Sequence, residues 1–321
     1  MTEWRIDVIP KVIQFLNEYE YKPTLRGIFY RLVSEEIISN TFDQYKGLVQ
    51  ALATARKKRV GVRGYISPFA FADDSRYIED INDRFTSYQD VIDGHRDWLK
   101  DAGKNYINDG FLPKWYRQPN YVEVMLEKEA LRGAFKNIFP PDDVRIVPNK
   151  GWDSIPYRMN NIRRMCEWKK GTNTRDIPKT VYVLYFGDYD PTGTTMSFKI
   201  EQWLSRYGIK LVRIALNREH ISTYGLDHLR NPDPKVAAKL RRDSNRFRFM
   251  RENDGELFQI ELDAMQKSPL EFKDLVVNSV SHYYKESIHK KNLKKFAPKK
   301  IDAYVKTKFS FREGEGEGDT E

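Results

Sequence analysis

Asp188 and Asp190, spaced two apart, follow an apolar run at 181–186 (Val-Tyr-Val-Leu-Tyr-Phe) and Gly187. The run is rich in β-branched and aromatic residues, and its length predicts a strand buried on both faces of a parallel sheet. Pro191 and Gly193 then stop the strand and turn the chain toward a helix. Both carboxylates are therefore expected at the carboxyl edge of a sheet, where open α/β folds bind ligands. At this spacing they can face one side and share a hard cation. A second predicted strand, 121–126, delivers Glu127-Lys128-Glu129 to an edge before a helical stretch at 130–135. Oxygen ligands without a His or Cys cluster suit Mg²⁺, with Mn²⁺ able to substitute, rather than zinc. Glu127, Asp188 and Asp190 are the expected metal ligands. Glu129 is an alternative or helper to Glu127, and Glu261 or Asp263 could join a second ion.

The elements that must position these groups alternate. Strands are expected at 121–126, 144–148, 180–187 and 210–216, with a helix after each, including 194–206. Residues 257–264 are a candidate further strand, and 270–308 reads as helical and basic. The alternation implies a small, mainly parallel sheet with helices on both faces. Upstream, the pattern predicts helices at 4–18, with Pro10 arguing for a kink or later start, at 25–35 with Thr24 as N-cap, and at 42–59. Gly61 to Gly64 is a turn with room for a wing. Three short helices, the last ending Arg56-Lys57-Lys58-Arg59, fit a helix-turn-helix or winged-helix unit that lays its third helix along a DNA groove. Those four basic residues are the expected phosphate contacts, which supply affinity without sequence choice.

The fold class is thus α/β, an N-terminal winged-helix domain (1–75) preceding the sheet domain (119–309). Between them, 76–118 reads as a helical connection, and the acidic, glycine-rich end, 310–321, as a disordered tail. The 321 residues carry a formal net charge of +9 although the last nine, 313–321, hold five acids and no base, so the remainder is strongly basic. That balance suggests a polyanionic partner, most simply nucleic acid. No apolar run approaches 20 residues, so a membrane partner is not expected. The N-terminus carries no signal-peptide pattern, which favours a cytoplasmic protein, nucleoid-associated if prokaryotic. Cys166 is the only cysteine, so neither a disulfide framework nor a thiolate metal site is available. The five histidines show no ligand spacing.

A strand-end Glu followed by Asp-x-Asp on a later strand resembles the Toprim domain of topoisomerases, primases and certain nucleases. The longer motif Asp188-Tyr189-Asp190-Pro191-Thr192-Gly193 is similar to the A subunit of topoisomerase VI and its meiotic double-strand-break relatives. Thr24-Leu25-Arg26-Gly27-Ile28-Phe29-Tyr30-Arg31 resembles the segment of that family carrying the catalytic tyrosine. Both occur in family order, and the likeness is closest to the short stand-alone mini-A proteins. Gly151-Trp152-Asp153-Ser154 and Glu261-Leu262-Asp263-Ala264 sit where such proteins carry similar segments.

The resemblance implies a Mg²⁺-dependent DNA transesterase. Tyr30 would attack the backbone to leave a 5′-phosphotyrosyl link, with Arg26 orienting the charge and Glu127, Asp188 and Asp190 holding the metal. Double-strand breaks imply a homodimer on double-stranded DNA, in which each site pairs the tyrosine of one subunit with the carboxylates of its partner. The chain has no GHKL-type ATPase module, so strand passage would need a separate B-like subunit. Two other readings compete: a hydrolytic Toprim nuclease of a mobile element or defence system, in which water attacks and Tyr30 is structural, and a non-catalytic DNA-binding scaffold.

Overall fold

Four apolar runs form the strands: β1 (Asn120–Leu126), β2 (Arg145–Pro148), β3 (Thr180–Phe186) and β4 (Lys210–Ala215). They make one sheet in the order β2-β1-β3-β4, and every neighbouring pair is parallel. The computed structural model describes residues 4–58, 60–72, 113–139, 143–149, 155–171, 176–230, 233–295 and 297–308. All four strand expectations hold to within a residue or two, because β-branched and aromatic runs bounded by turn residues suit a sheet covered on both faces.

The strand order matters for function. The chain passes outward from β1 to β2, then returns to the other side of β1 to lay down β3 and β4. The order therefore reverses between β1 and β3, whose registered pairing runs from Asn120↔Thr180 to Leu126↔Phe186. A crevice opens at the carboxyl ends of such a pair, because their crossover connections leave in opposite directions.

The N-terminal helices are α1 (Ile9–Leu16), α2 (Leu25–Ser34) and α3 (Phe42–Arg56), with a π-helical turn at Trp4–Val8 leading into α1. Pro10 sits in the first turn of α1, where its missing N–H costs least, and so the α-helix starts later than residue 4. Thr24 and Thr41 cap α2 and α3, accepting bonds from Gly27 N and Gln44 N. α3 ends at Arg56, three residues short of the expected end. Lys57 is its C-cap, and the Lys58 ammonium closes the next turn on the Arg63 carbonyl at 2.8 Å. Gly61 and Gly64 take positive φ in this turn. The described residues of 4–72 contain no strand, so the wing expected at Gly61–Gly64 is a pair of turns there.

The helices around the sheet are α4 (Arg132–Ile138), α5 (Ile155–Lys170), α6 (Pro191–Ser205), α7 (Arg218–Thr223), α8 (Pro234–Arg242), α9 (Arg246–Glu252) and α10 (Pro269–Ser281). α6 begins three residues earlier than expected, because Asp190 caps it and Pro191 fits its first position. The candidate strand at 257–264 is reduced to one antiparallel bridge, Ile260 with Tyr189, followed by a 3-10 helix at Leu262–Lys267. The Leu262 N–H donates to Asp188 Oδ1 at 2.9 Å, which draws the chain out of strand geometry.

The chain divides into two compact units. Residues 1–77 and 119–284 form the first, so the N-terminal helices and the sheet share one unit. The second groups 78–118 with 285–321. Its described part holds α11 (Glu286–Lys295) and α12 (Pro298–Lys308), and Asn292 Nδ2 donates to the Tyr116 carbonyl at 2.8 Å. Most of the expected 76–118 connection and the acidic tail lie outside the described residues. No helix among the described residues is long and apolar enough to cross a membrane.

Candidate metal centre

Glu127 is the first residue past β1, and Asp188 and Asp190 follow β3 by two and four residues. All three therefore meet at the crevice where the strand order reverses. The Glu127 N–H extends the sheet by one bond to the Phe186 carbonyl at 2.9 Å. Its carboxylate Oε2 accepts the Asp188 N–H at 2.9 Å and the Tyr185 hydroxyl at 3.3 Å. Two glycines make room for it. A Cβ on Gly187 would strike Glu127 Oε2, and one on Gly193 would stand 2.6 Å from the Asp188 carbonyl and 3.1 Å from Glu127 Oε2. Gly187 and Gly193 thus permit the close approach of the two strand ends.

Asp188 and Asp190 are both buried. Asp190 Oδ1 accepts the Gly193 N–H at 2.6 Å, so one carboxylate caps α6 while its charge acts on Glu127. Asp188 Oδ1 is taken by Leu262 N–H, and its Oδ2 lies 2.8 Å from Lys128 Nζ. Arg213 braces the turn from behind. Its guanidinium donates to the carbonyls of Gly187, Asp188 and Gly193 and to Ser197 Oγ. Burial pulls the Arg213 pKa down from its ordinary value.

The electrostatics follow from three carboxylates in a small buried space. Burial, then the charges of Asp188 and Asp190, push Glu127 up to about 7, against the pull of the Asp188 N–H and Arg213. Burial also raises Asp190, opposed by the Gly193 N–H. Such mutual repulsion is what a divalent cation would relieve, and an all-oxygen donor set suits Mg²⁺. Among the described residues, however, no three His, Cys, Asp or Glu side chains are already arranged to hold an ion.

A second acidic group adjoins the first, with Lys128 between them. Lys128 Nζ lies 3.0 Å from Glu261 Oε2 and 3.7 Å from Asp263 Oδ2, besides its contact with Asp188. Burial alone would lower its pKa, but Asp188, Asp263 and Glu261 more than offset that and hold the ammonium well above its ordinary value. Glu261 is raised by burial and pulled back by Lys128 and Arg26.

The candidate tyrosine helix docks here. Thr24 Oγ1 donates to Asp263 Oδ1 at 2.6 Å, and Thr24 N–H donates to Gln266 Oε1 at 2.9 Å. A Cβ on Gly27 would stand 2.7 Å from Gln266, so α2 lies flush on the 3-10 turn. Arg26 Nε pairs with Glu261 Oε2 at 2.7 Å, and its guanidinium covers the Tyr45 ring. Tyr30 is 2% exposed. Burial first, then Glu261, push its hydroxyl well above the usual phenol range, with Arg26 and Lys128 pulling back. Tyr30 and Arg26 thus lie in the field of Glu261, Lys128 and Asp263 of their own chain.

The expected residues therefore fall in three places. Glu127, Asp188 and Asp190 come together. Arg26 and Tyr30 join the neighbouring group through Glu261. Arg56 lies 5.5 Å over the Phe71 ring, Lys57 follows α3, Lys58 is spent on its own turn, and Arg59 is outside the described residues. Glu129 opens the 3-10 turn Glu129–Leu131. The Gly151-Trp152-Asp153-Ser154 segment is also outside the described residues. Sequence reasoning missed Lys128 and Arg213. Arg213 had a signal, being a lone charge inside the apolar run Leu211-Val212-Arg213-Ile214; Lys128 had only its place between two glutamates.

No family model matches the chain, and no curated protein or solved structure matches it.

Proposed function

We propose that the chain is a Mg²⁺-dependent enzyme that cleaves double-stranded DNA, of the topoisomerase VI A-like Toprim type, with Glu127, Asp188 and Asp190 as its metal ligands. The observation that carries this reading is the meeting of these carboxylates at the switch point, where burial and then the charges of Asp188 and Asp190 lift Glu127 to about 7. The four-stranded parallel sheet is compatible with a Toprim core, and the N-terminal helices would serve as the winged-helix-like DNA-binding element. Bound Mg²⁺ would neutralise charge on the phosphodiester and the departing 3′-oxygen. Arg213 holds the aspartate turn rigid, and Arg26 and Lys128 add positive charge beside it. In this reading Tyr30 Oη bonds to phosphorus as the bond to the 3′-oxygen breaks, and a homodimer supplies two such sites for a double-strand break. A separate ATPase subunit would be needed for strand passage.

One observation favours a second reading, hydrolysis by water at the same carboxylates. Tyr30 is buried, its hydroxyl is a poorer nucleophile for its raised pKa, and Thr24, Gly27 and Gln266 pin its helix. Tyr30 would then be structural.

An SDS trap separates the two. End-labelled duplex is incubated with the protein and Mg²⁺ or Mn²⁺, quenched in SDS and resolved. An adduct lost in Tyr30→Phe and Asp190→Ala supports transesterification. Protein-free cuts unchanged in Tyr30→Phe support hydrolysis. No Mg²⁺-dependent cleavage by the wild type counts against both and favours the scaffold.

A further inference from the structure

Beside the aspartate turn lies a second surface that the carboxylate chemistry does not use. Between 233 and 252 the chain carries seven basic and three acidic residues. α8 buries Leu240 and leaves Lys235, Lys239, Arg241 and Arg242 exposed. α9 buries Phe249 and leaves Phe247 65% exposed, with the Arg246 guanidinium 4.1 Å over its ring. Arg248 lies 4.4 Å over Phe198, itself exposed on α6.

Three contacts lock this pair of helices to the candidate metal centre. Phe249 packs on Tyr189, the residue between the two aspartates, with ring centroids 5.2 Å apart. The Tyr189 hydroxyl donates to Asn253 Oδ1 at 3.0 Å, just past the end of α9. Asp243, in the α8–α9 turn, accepts the Thr192 hydroxyl from the first turn of α6. All three acids in the segment are thus engaged locally, Asp233 by the Lys235 N–H, Asp243 by Thr192 and Asn245, and Glu252 by Arg248. Lys239 is close enough for its charge to act on Asp190.

We infer that α8 and α9 form the track along which the phosphate backbone of duplex DNA is led to Asp188 and Asp190, with Lys239, Arg241, Arg242 and Arg251 facing phosphates and Phe247 packing on the strand. It rests on the nucleic-acid substrate proposed above. The chemistry suits a phosphodiester chain: spaced cations on a helix give electrostatic contact, and aromatic–arginine faces give apolar contact without sequence choice. The rigid link to Tyr189 gives the track a fixed distance from the carboxylates, which a tether on a loose loop would lack.

The test is binding without chemistry. The full chain is titrated against fluorescein-labelled duplex of about 20 base pairs in EDTA, by anisotropy, at several salt concentrations. The triple variant Lys239→Gln, Arg241→Gln, Arg242→Gln is expected to bind at least about 10-fold more weakly, with a salt slope reduced by about 2–3. A charge-keeping variant, Lys239→Arg, Arg241→Lys, Arg242→Lys, is expected to stay near the wild type, which separates lost charge from lost fold. Wild-type affinity and slope in the glutamine triple would overturn the inference. So would displacement of the duplex by poly-glutamate as effectively as by unlabelled duplex of matched charge. Failure of the cleavage reading looks different: wild-type protein that binds through this surface but never cuts with Mg²⁺ leaves the track standing and removes the enzyme.

Discussion

Lys128 Nζ lies 2.8 Å from Asp188 Oδ2, so a cation of the chain itself already sits on an aspartate carboxylate. The same ammonium reaches Glu261, and it joins two acidic groups brought together from distant parts of the sequence. It neutralises buried carboxylates that would otherwise repel one another.

Lys128→Met should therefore be costly. Removing one partner of a buried ionic cluster leaves the others uncompensated, at about 3–5 kcal/mol. Mg²⁺ should recover part of this loss. Melting curves with and without MgCl₂ check it: the expected result is a lower Tm without metal and a larger Mg²⁺-dependent rise than in the wild type. An equal rise in both proteins would show that Lys128 does not stand in for a cation.

Asp190 has two separable tasks. Asp190→Asn keeps an N-cap acceptor for Gly193 N–H but loses the charge. It should leave stability within about 1 kcal/mol while lowering cleavage at least about 100-fold. Asp190→Ala loses both, adding about 1 kcal/mol of destabilisation. Urea unfolding and a cleavage assay on the same preparations distinguish the variants, and full activity in Asp190→Asn would remove this residue from the metal site.

Glu127 predicts a pH dependence. Its pKa is raised from 4.5 to about 7, so the folded state binds the proton more tightly than the unfolded chain. The Glu127 contribution to stability must then fall as pH rises from about 4.5 to 7 and level off above that. Glu127→Gln removes this slope and should be more stable than the wild type at pH 8 without metal, by about 1–3 kcal/mol. Denaturant midpoints at pH 5 and pH 8 measure it. A wild type whose midpoint holds steady relative to the variant across that range contradicts the raised value.

Thr24 ties the tyrosine helix to the acidic turn. Thr24→Val keeps the shape but deletes the cap to Gly27 and the donor to Asp263. We expect a loss of about 2 kcal/mol from the cap and the lost hydroxyl contacts with Asp263 and Gln266 together. Thr24→Ser restores the hydroxyl and should recover most of it. Chemical denaturation of the two variants reads the difference.

Much of the fold was local and so lay open in the sequence. The four strands announce themselves because each is a short apolar, β-branched run ended by a turn residue, and the expected helix cap at Thr24 is set by Gly27, three positions away. The places of Glu127, Asp188 and Asp190 at strand ends follow from the same local rules. Long-range packing decided the rest. Strand order, which makes neighbours of β1 and β3, depends on crossovers that no window of sequence contains. Asp188 drew the expected strand at 257–264 into a 3-10 turn, across 74 positions, through a single backbone bond. Lys128 met Glu261 at a separation of 133 residues, and Thr24 met Asp263 at 239. Burial of Tyr30 is likewise a property of what packs over α2. Residue types and spacing determined which groups could do chemistry; which charges face one another was decided by tertiary structure, because Coulomb energy and desolvation depend on distance and exposure rather than on order along the chain.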